Sequence, residues 1–176
     1  PNDTVTVSDS VIKQISNWKG SASINLEAGE KISVLDLIYS MMLVSANDSL
    51  FALAEFICGS LDKFAVMMQE KAKSIGAADT TITTADGRFT AEQYSNAYDL
   101  AIICRYCMTN RMFRTIAATD KYTIPATNKN GSRDLQNTNL LINSGNRRYR
   151  YETAIGIKSG YTARSKSCLA CSALPP

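Results

Sequence analysis

Histidine is absent from all 176 residues, and that absence excludes more chemistry than any other feature of the composition. Without imidazole there is no Ser-His-Asp or Cys-His nucleophile system, and no zinc site that relies on histidine. Any hydrolytic chemistry must use lysine, carboxylate or hydroxyl groups as proton carriers. Long apolar runs are also lacking: none approaches the roughly 18 residues needed to cross a bilayer. The opening residues PNDTVTVSDS have neither a basic start nor an apolar middle, so no signal peptide lies within them. Charge of one sign is in small surplus, +3 from 19 basic and 16 acidic residues, and the cluster Arg147, Arg148, Arg150 is not interleaved with stacking aromatics on a repeated pattern. Nucleic-acid binding is therefore not indicated. No internal repeat or low-complexity tract is evident.

What is present is enough for a folded core: 45% hydrophobic and 20% charged residues in a chain of single-domain size. Four of the five cysteines form two CxxC pairs, Cys104/Cys107 and Cys168/Cys171. The first lies in a helical pattern. The second reads as a strand, where residues three apart point to opposite faces and do not readily grip one metal. Buried free thiols, not zinc, are the expectation, and the odd count argues against a complete disulfide framework.

The chain is organised around residues 34–58, VLDLIYSMMLVSANDSLFALAEFIC. Two apolar segments with helical spacing are interrupted by a polar knot, Ser45 to Ser49. Polar groups between buried helices need partners, because an unpaired one costs about 1–3 kcal/mol. The knot is a site candidate, with a plain helix-to-helix turn capped by Asn47 or Asp48 as the other reading. Residues 1–30 read as an extended lead-in and a turn-rich loop. Ser33 and Asp36 have capping-box spacing, with Ile32 able to staple to Leu37. A second helix is expected from about Asp48 to Ile57, stopping near Gly59. A third is opened by Ser60, runs amphipathically through Leu61, Phe64, Met67 and Met68, and is closed by Gly76. Residues 77–94 read as a loop or short extended pieces around Asp86-Gly87, Ser95 as the cap of a fourth helix, and Arg111 to Ala118 as a short fifth. After Asp120 the pattern changes to a hairpin or a pair of extended pieces around the turn signal Asn130-Gly131, and then to two strands, TAIGIKSGYT and KSCLACSA.

Two short motifs are worth joining: Ser45-Ala46-Asn47, and Lys158-Ser159-Gly160 on a strand. A glycine beside a lysine and a hydroxyl on an edge strand lets a ligand approach closely while the cation attracts a carboxylate. In that order they match the second and third signatures of the active-site serine penicillin-interacting enzymes, Ser-x-x-Lys, Ser-x-Asn and Lys-Thr/Ser-Gly. LEAGEKISVLDLIYSMMLVSANDS, YSNAYDLAIICRYC and AIGIKSGYT resemble stretches of the low-molecular-mass D-alanyl-D-alanine carboxypeptidases, the S11 serine peptidases. The resemblance covers residues 3 to 173. A class A β-lactamase is less similar, since Ala46 stands where it usually carries aspartate.

The resemblance implies an α+β, β-lactamase/transpeptidase-like fold. Residues 1–150 would form a helical domain with a lead-in loop and a small hairpin, and residues 151–176 two strands of an antiparallel sheet domain. It implies a serine-type carboxypeptidase that trims peptidoglycan stem peptides ending in D-Ala-D-Ala, binds β-lactams, works outside the cytoplasm, and uses neither metal nor cofactor. Ser45 would pass a proton to the leaving D-alanine and Asn47 would hold the substrate amide. Lys158 would supply positive potential and Ser159 would bind the terminal carboxylate. Gly160 would allow close approach, the Tyr161 N–H would contribute to the oxyanion hole, and Thr162 would lend a second hydroxyl. Ser159 replaces the commoner threonine, and TARSKSCLAC departs from relatives in which a glycine often follows that turn. Ser-x-x-Lys spacings occur at Ser10/Lys13, Ser16/Lys19 and Ser60/Lys63, and none sits where the family has its nucleophile. The nucleophile is expected upstream of Pro1, the isolated chain inert, and its uncovered surface prone to self-association. A related acyl-serine hydrolase such as a β-lactamase, or a non-catalytic cell-wall module, are the alternatives.

Overall fold

Ser33 decides where the central helix begins. Its hydroxyl accepts the Asp36 amide at 3.0 Å and donates to the Asp36 carboxylate at 2.5 Å, so the first turn is closed as the spacing predicts. The computed structural model describes residues 3–18 and 20–175. Helix α2 (Val34–Val44) starts at this cap and ends at Ser45, which takes a left-handed conformation, φ 60°, with its amide donating to the Ser40 carbonyl. Helix α3 (Asn47–Cys58) follows almost at once and stops at Gly59, φ 78°, where a side chain would be strained. The two helices are pinned by a buried hydrogen bond between Ser40 Oγ and Ser49 Oγ, 2.7 Å. Leu37, Leu43, Leu50, Phe51 and Leu53 form the centre of the core, with Ile32 beside them. Burying each large side chain contributes about 1.5–3 kcal/mol.

The N-terminal residues are more ordered than a lead-in loop. Strand β1 (Thr4–Thr6) pairs antiparallel with β2 (Lys31–Ser33), and between them lies helix α1 (Asp9–Ser16). Ser8 caps α1 by accepting the Val11 amide at 3.2 Å, and Val11 is buried in the core with Ile12 and Ile15 packed against it. The expectation of a loop here is corrected: SVIKQI places its apolar residues on one helical face, and α3 supplies the surface that holds them.

Helix α4 (Leu61–Ser74) is capped by Ser60, whose oxygen accepts the Lys63 amide. Leu61 and Phe64 pack on the core, and Ala65 and Ala72 are buried, whereas Met67, expected on the inner face, is exposed. Helix α5 (Ala97–Met108) is capped by Asn96 and not by Ser95; the Ser95 hydroxyl instead meets that of Thr80 at 2.9 Å. The loop between α4 and α5 is tied down by the buried Asp99 carboxylate, which accepts from the Asp79 amide and the Thr80 hydroxyl, both at 2.8 Å. Helix α6 (Arg111–Ala117) is capped by Asn110.

Strands β3 (Lys121–Ile124) and β4 (Arg133–Gln136) form the expected hairpin, packed on α2. Tyr122 stacks on Tyr39 with ring centroids 3.7 Å apart and donates to the Asp36 carboxylate at 2.7 Å. Burial, that hydrogen bond and the Asp36 charge push its phenol well above the ordinary value. The hairpin tip is clasped by Glu30, which is fully buried and accepts from Arg133 at 2.8 and 3.0 Å, from Thr127 at 2.8 Å and from Asn130 at 2.9 Å. Finally β5 (Ala154–Thr162) and β6 (Lys166–Ala173) pair antiparallel, Lys158 opposite Ala170 and Gly160 opposite Cys168, with β5 against α6 and β6 against α5.

All five cysteines are free, and the expectation that they are buried is corrected: Cys168 and Cys171 are exposed, and Cys58, Cys104 and Cys107 half-buried. Strand β6 is exposed on both faces over most of its length, so cysteines pointing either way meet solvent. Burial, then the nearby Cys107 and Cys171, push the Cys104 thiol above its ordinary value.

Candidate active site

The polar knot and the edge strand meet across one groove, of about 1930 Å³. Ser45, Asn47, Lys158, Ser159, Gly160, Tyr161 and Thr162 all line it. The tight α2–α3 connection, with Ser45 in its left-handed conformation, presents the Ser45 hydroxyl to β5. Lys158 Nζ donates to Ser45 Oγ at 2.5 Å and to the Ser159 carbonyl at 2.8 Å. An ammonium has only donors, so Ser45 accepts here and keeps its own proton for another partner. Burial holds the Lys158 pKa below its ordinary value.

Asn47 is fixed through its backbone, its amide donating to the Ala22 carbonyl at 2.8 Å while its side-chain nitrogen lies 3.4 Å from the same oxygen. Neither Asn47 nor Asp48 caps α3, which corrects that reading: Ala46 occupies the cap position without a side-chain bond. Asp48 lies in the first turn, fully buried, and its carboxylate accepts from the Ser23 hydroxyl at 2.6 Å and from the amides of Ile24, Leu26 and Ser49. A carboxylate so placed satisfies orphan donors and gains from the positive end of α3. It locks the segment 22–26 that supports Asn47.

On β5, an ideal Cβ at Gly160 would meet no atom within 4 Å, so packing does not demand a glycine there and its bareness widens the groove. Tyr161 is 71% exposed. Thr162 Oγ1 accepts the Ser165 amide at 2.9 Å, closing the β5–β6 turn, and retains its proton. Two groove residues lay outside the sequence motifs. Thr138 joins the end of α2 to Ser159, with its hydroxyl 3.0 Å from the Leu43 carbonyl and 3.1 Å from Ser159 Oγ. Arg88 stacks on Trp18 at 5.0 Å. Neither carries a spacing signal, since both contacts join segments remote in sequence.

Of the in-chain Ser-x-x-Lys pairs, Ser10 accepts from Gln14 on the exposed face of α1 and Ser60 is used as a helix cap. Ser16 lines the groove but donates to the Lys13 carbonyl at 2.8 Å, and its partner Lys19 lies outside the described residues. No group of three His, Cys, Asp or Glu side chains suited to a metal occurs among the described residues, and none of their helices is long and apolar enough to cross a membrane.

Comparison with known proteins places this geometry. The chain matches the family model described as D-alanyl-D-alanine carboxypeptidase, peptidase S11, over residues 1–175. It is 34% identical over 155 residues to the D-alanyl-D-alanine carboxypeptidase DacF of Bacillus subtilis, covering 88% of this chain and 38% of that protein. Against the D-alanyl-D-alanine carboxypeptidase of Streptomyces sp. K15 the identity is also 34%, over 82% of this chain and 51% of the relative. The chain thus spans about half or less of the length of these two relatives. The crystal structure of the Streptomyces K15 DD-transpeptidase superposes with a TM-score of 0.87 at 28% identity, covering 99% of this chain and 68% of that one. The architecture is the penicillin-binding, β-lactamase-like α+β fold of these enzymes. With its Ser45-Lys158 groove and a family match along almost its whole length, the chain belongs to the D-alanyl-D-alanine carboxypeptidase family of S11 peptidases.

Proposed function

We propose that the protein to which this chain belongs removes the terminal D-alanine from peptidoglycan stem peptides, outside the cytoplasm, through an acyl-serine intermediate that β-lactams also form. The observation that carries this reading is the 2.5 Å contact between Lys158 and Ser45 at the edge of an open groove. In the reaction a serine oxygen bonds the carbonyl carbon of the penultimate D-alanine, the C–N bond breaks, and the departing nitrogen takes a proton. Water then cleaves the acyl-serine and regenerates the hydroxyl.

Ser45 is suited to the proton delivery, because Lys158 occupies its lone pair and leaves its O–H free. Lys158 supplies positive potential to the groove, Ser159 binds the terminal carboxylate, and the Tyr161 N–H on the β5 edge stabilises the oxyanion. Asn47 holds the substrate amide. Gly160 admits the peptide backbone, and Thr162 offers a second hydroxyl. The nucleophile is assigned to a Ser-x-x-Lys segment preceding Pro1, a reading supported by the caps and backbone bonds that occupy Ser60 and Ser16.

The test is acylation by labelled penicillin followed by mass-spectrometric mapping. The full-length protein should be labelled on a serine of that segment, and the isolated chain should stay unlabelled. An adduct on Ser10, Ser16 or Ser45 overturns the assignment of the nucleophile.

A further inference from the structure

Thr138 makes three contacts that together fix the direction of a hydrogen bond at the ligand-binding edge. Its amide and its hydroxyl both reach the carbonyl of Leu43, each at 3.0 Å. Leu43 is in the last turn of α2, where carbonyls lack partners within the helix. The same hydroxyl oxygen lies 3.1 Å from Ser159 Oγ. A hydroxyl carries one proton and a carbonyl can only accept. With the Thr138 proton on Leu43, the bond to Ser159 runs the other way: Ser159 donates and Thr138 accepts. Ser159 therefore turns its proton toward Thr138 and shows lone pairs to the groove. A carboxylate arriving there has only lone pairs to offer and must draw that proton round.

We propose that Thr138 is a positioning residue that holds the Ser159 hydroxyl in a donor-inward orientation until a ligand carboxylate displaces it. The inference rests on the reading of Ser159 as the carboxylate-binding hydroxyl, and adds to it a resident competitor for the Ser159 proton. Thr138 also spans the two walls of the groove, since Leu43 lies two residues before Ser45 and Ser159 one residue after Lys158. Releasing the hydroxyl does not release the wall, because the Thr138 amide keeps its own bond to Leu43.

The experiment compares KM in the full-length protein for an acylated tripeptide ending in D-Ala-D-Ala and for its C-terminal methyl ester, in wild type, Thr138→Val and Thr138→Ser. Valine keeps the shape and removes the acceptor. Its KM for the free acid should fall about fivefold relative to that for the ester, the scale of one net hydrogen bond. Serine restores the hydroxyl and should return the wild-type ratio. A ratio unmoved in Thr138→Val, or moved equally in Thr138→Ser, overturns the assignment to Thr138 while leaving the carboxypeptidase reading in place. A wild-type protein that cleaves neither peptide overturns the carboxypeptidase reading, and this inference with it.

Discussion

Lys158 Nζ lies 2.5 Å from Ser45 Oγ and so joins the β5 strand to the loop between the two central helices. The contact spans 113 positions of sequence. It sets the hydrogen-bonding direction at the site, because a lysine ammonium can only donate and the serine must accept. Four predictions follow from this pair and from the packing that holds it.

Ser45, proposed as the proton carrier, sits in a strained backbone conformation. Its φ of 60° is the left-handed conformation that glycine adopts freely, and among the described residues its side chain bonds only Lys158. Ser45→Gly should raise unfolding stability by about 1 kcal/mol while lowering the acylation rate by about 10²–10⁴-fold. Urea melts and penicillin-labelling rates on the full-length variant check the two halves. A variant that loses stability along with activity contradicts the strain argument.

Burial disfavours the charged form of Lys158, so its proton leaves at a lower pH than the ordinary 10.5. On the role proposed for it the ammonium supplies the potential in the groove, and the acylation rate should therefore fall on the alkaline side with a midpoint below 10.5. A rate profile flat through that value counts against the role given to Lys158. Lys158→Met should abolish the limb along with most of the activity.

Glu30 contributes to the acid side of the pH dependence of folding. Desolvation pushes its carboxyl up, but bonds from Arg133, Thr127, the Glu27 amide and Asn130 outweigh it, and the pKa lies below the ordinary 4.5. A carboxyl depressed in the folded state contributes stability that is complete above about 4.5 and is lost as pH falls through the folded value. Arg133→Met leaves the buried carboxylate without its cation and should cost about 3–5 kcal/mol at neutral pH. It should also move acid unfolding to higher pH. Denaturant titrations at several pH values report both effects.

Two glycines of β5 should separate fold from function. A Cβ at Gly156 would stand 3.1 Å from the Ala117 Cβ on α6, at a φ of 145° that side chains rarely adopt. Gly156→Ala should destabilise by about 1–3 kcal/mol. Gly160 has open space around it, so Gly160→Ala should change stability by no more than about 0.5 kcal/mol. On the proposed role of Gly160 its methyl would meet the substrate backbone, and acylation should slow by about 10²-fold. Equal stability losses in the two variants would contradict the packing argument.

Much of this was legible in the amino acids alone, where the cause is local. Ser33 with Asp36, Gly59 and Ser60 mark helix ends through bonds closed within a few residues, and each is found where its spacing puts it. The β5–β6 pair follows from the same kind of short-range chemistry, whereas the loop 125–132 between β3 and β4 is held by the distant Glu30 and not by a two-residue turn at Asn130-Gly131. The order of Ser45-Ala46-Asn47 and Lys158-Ser159-Gly160 also pointed to one groove. What local pattern left undecided were choices between comparable partners. Asn96 displaced Ser95 as a cap because the Ser95 hydroxyl had Thr80 to meet. Residues 9–16 became a helix because Val11, Ile12 and Ile15 had a core to face. Asp48 was drawn into a buried knot by amides of a distant loop rather than serving as a cap, and Thr138 acquired its place between Leu43 and Ser159 only when α2 and β5 came together. Spacing along the chain determines bonds that close over a turn or two; donors and acceptors far apart in sequence are matched by packing, and those matches exist only once the chain has folded.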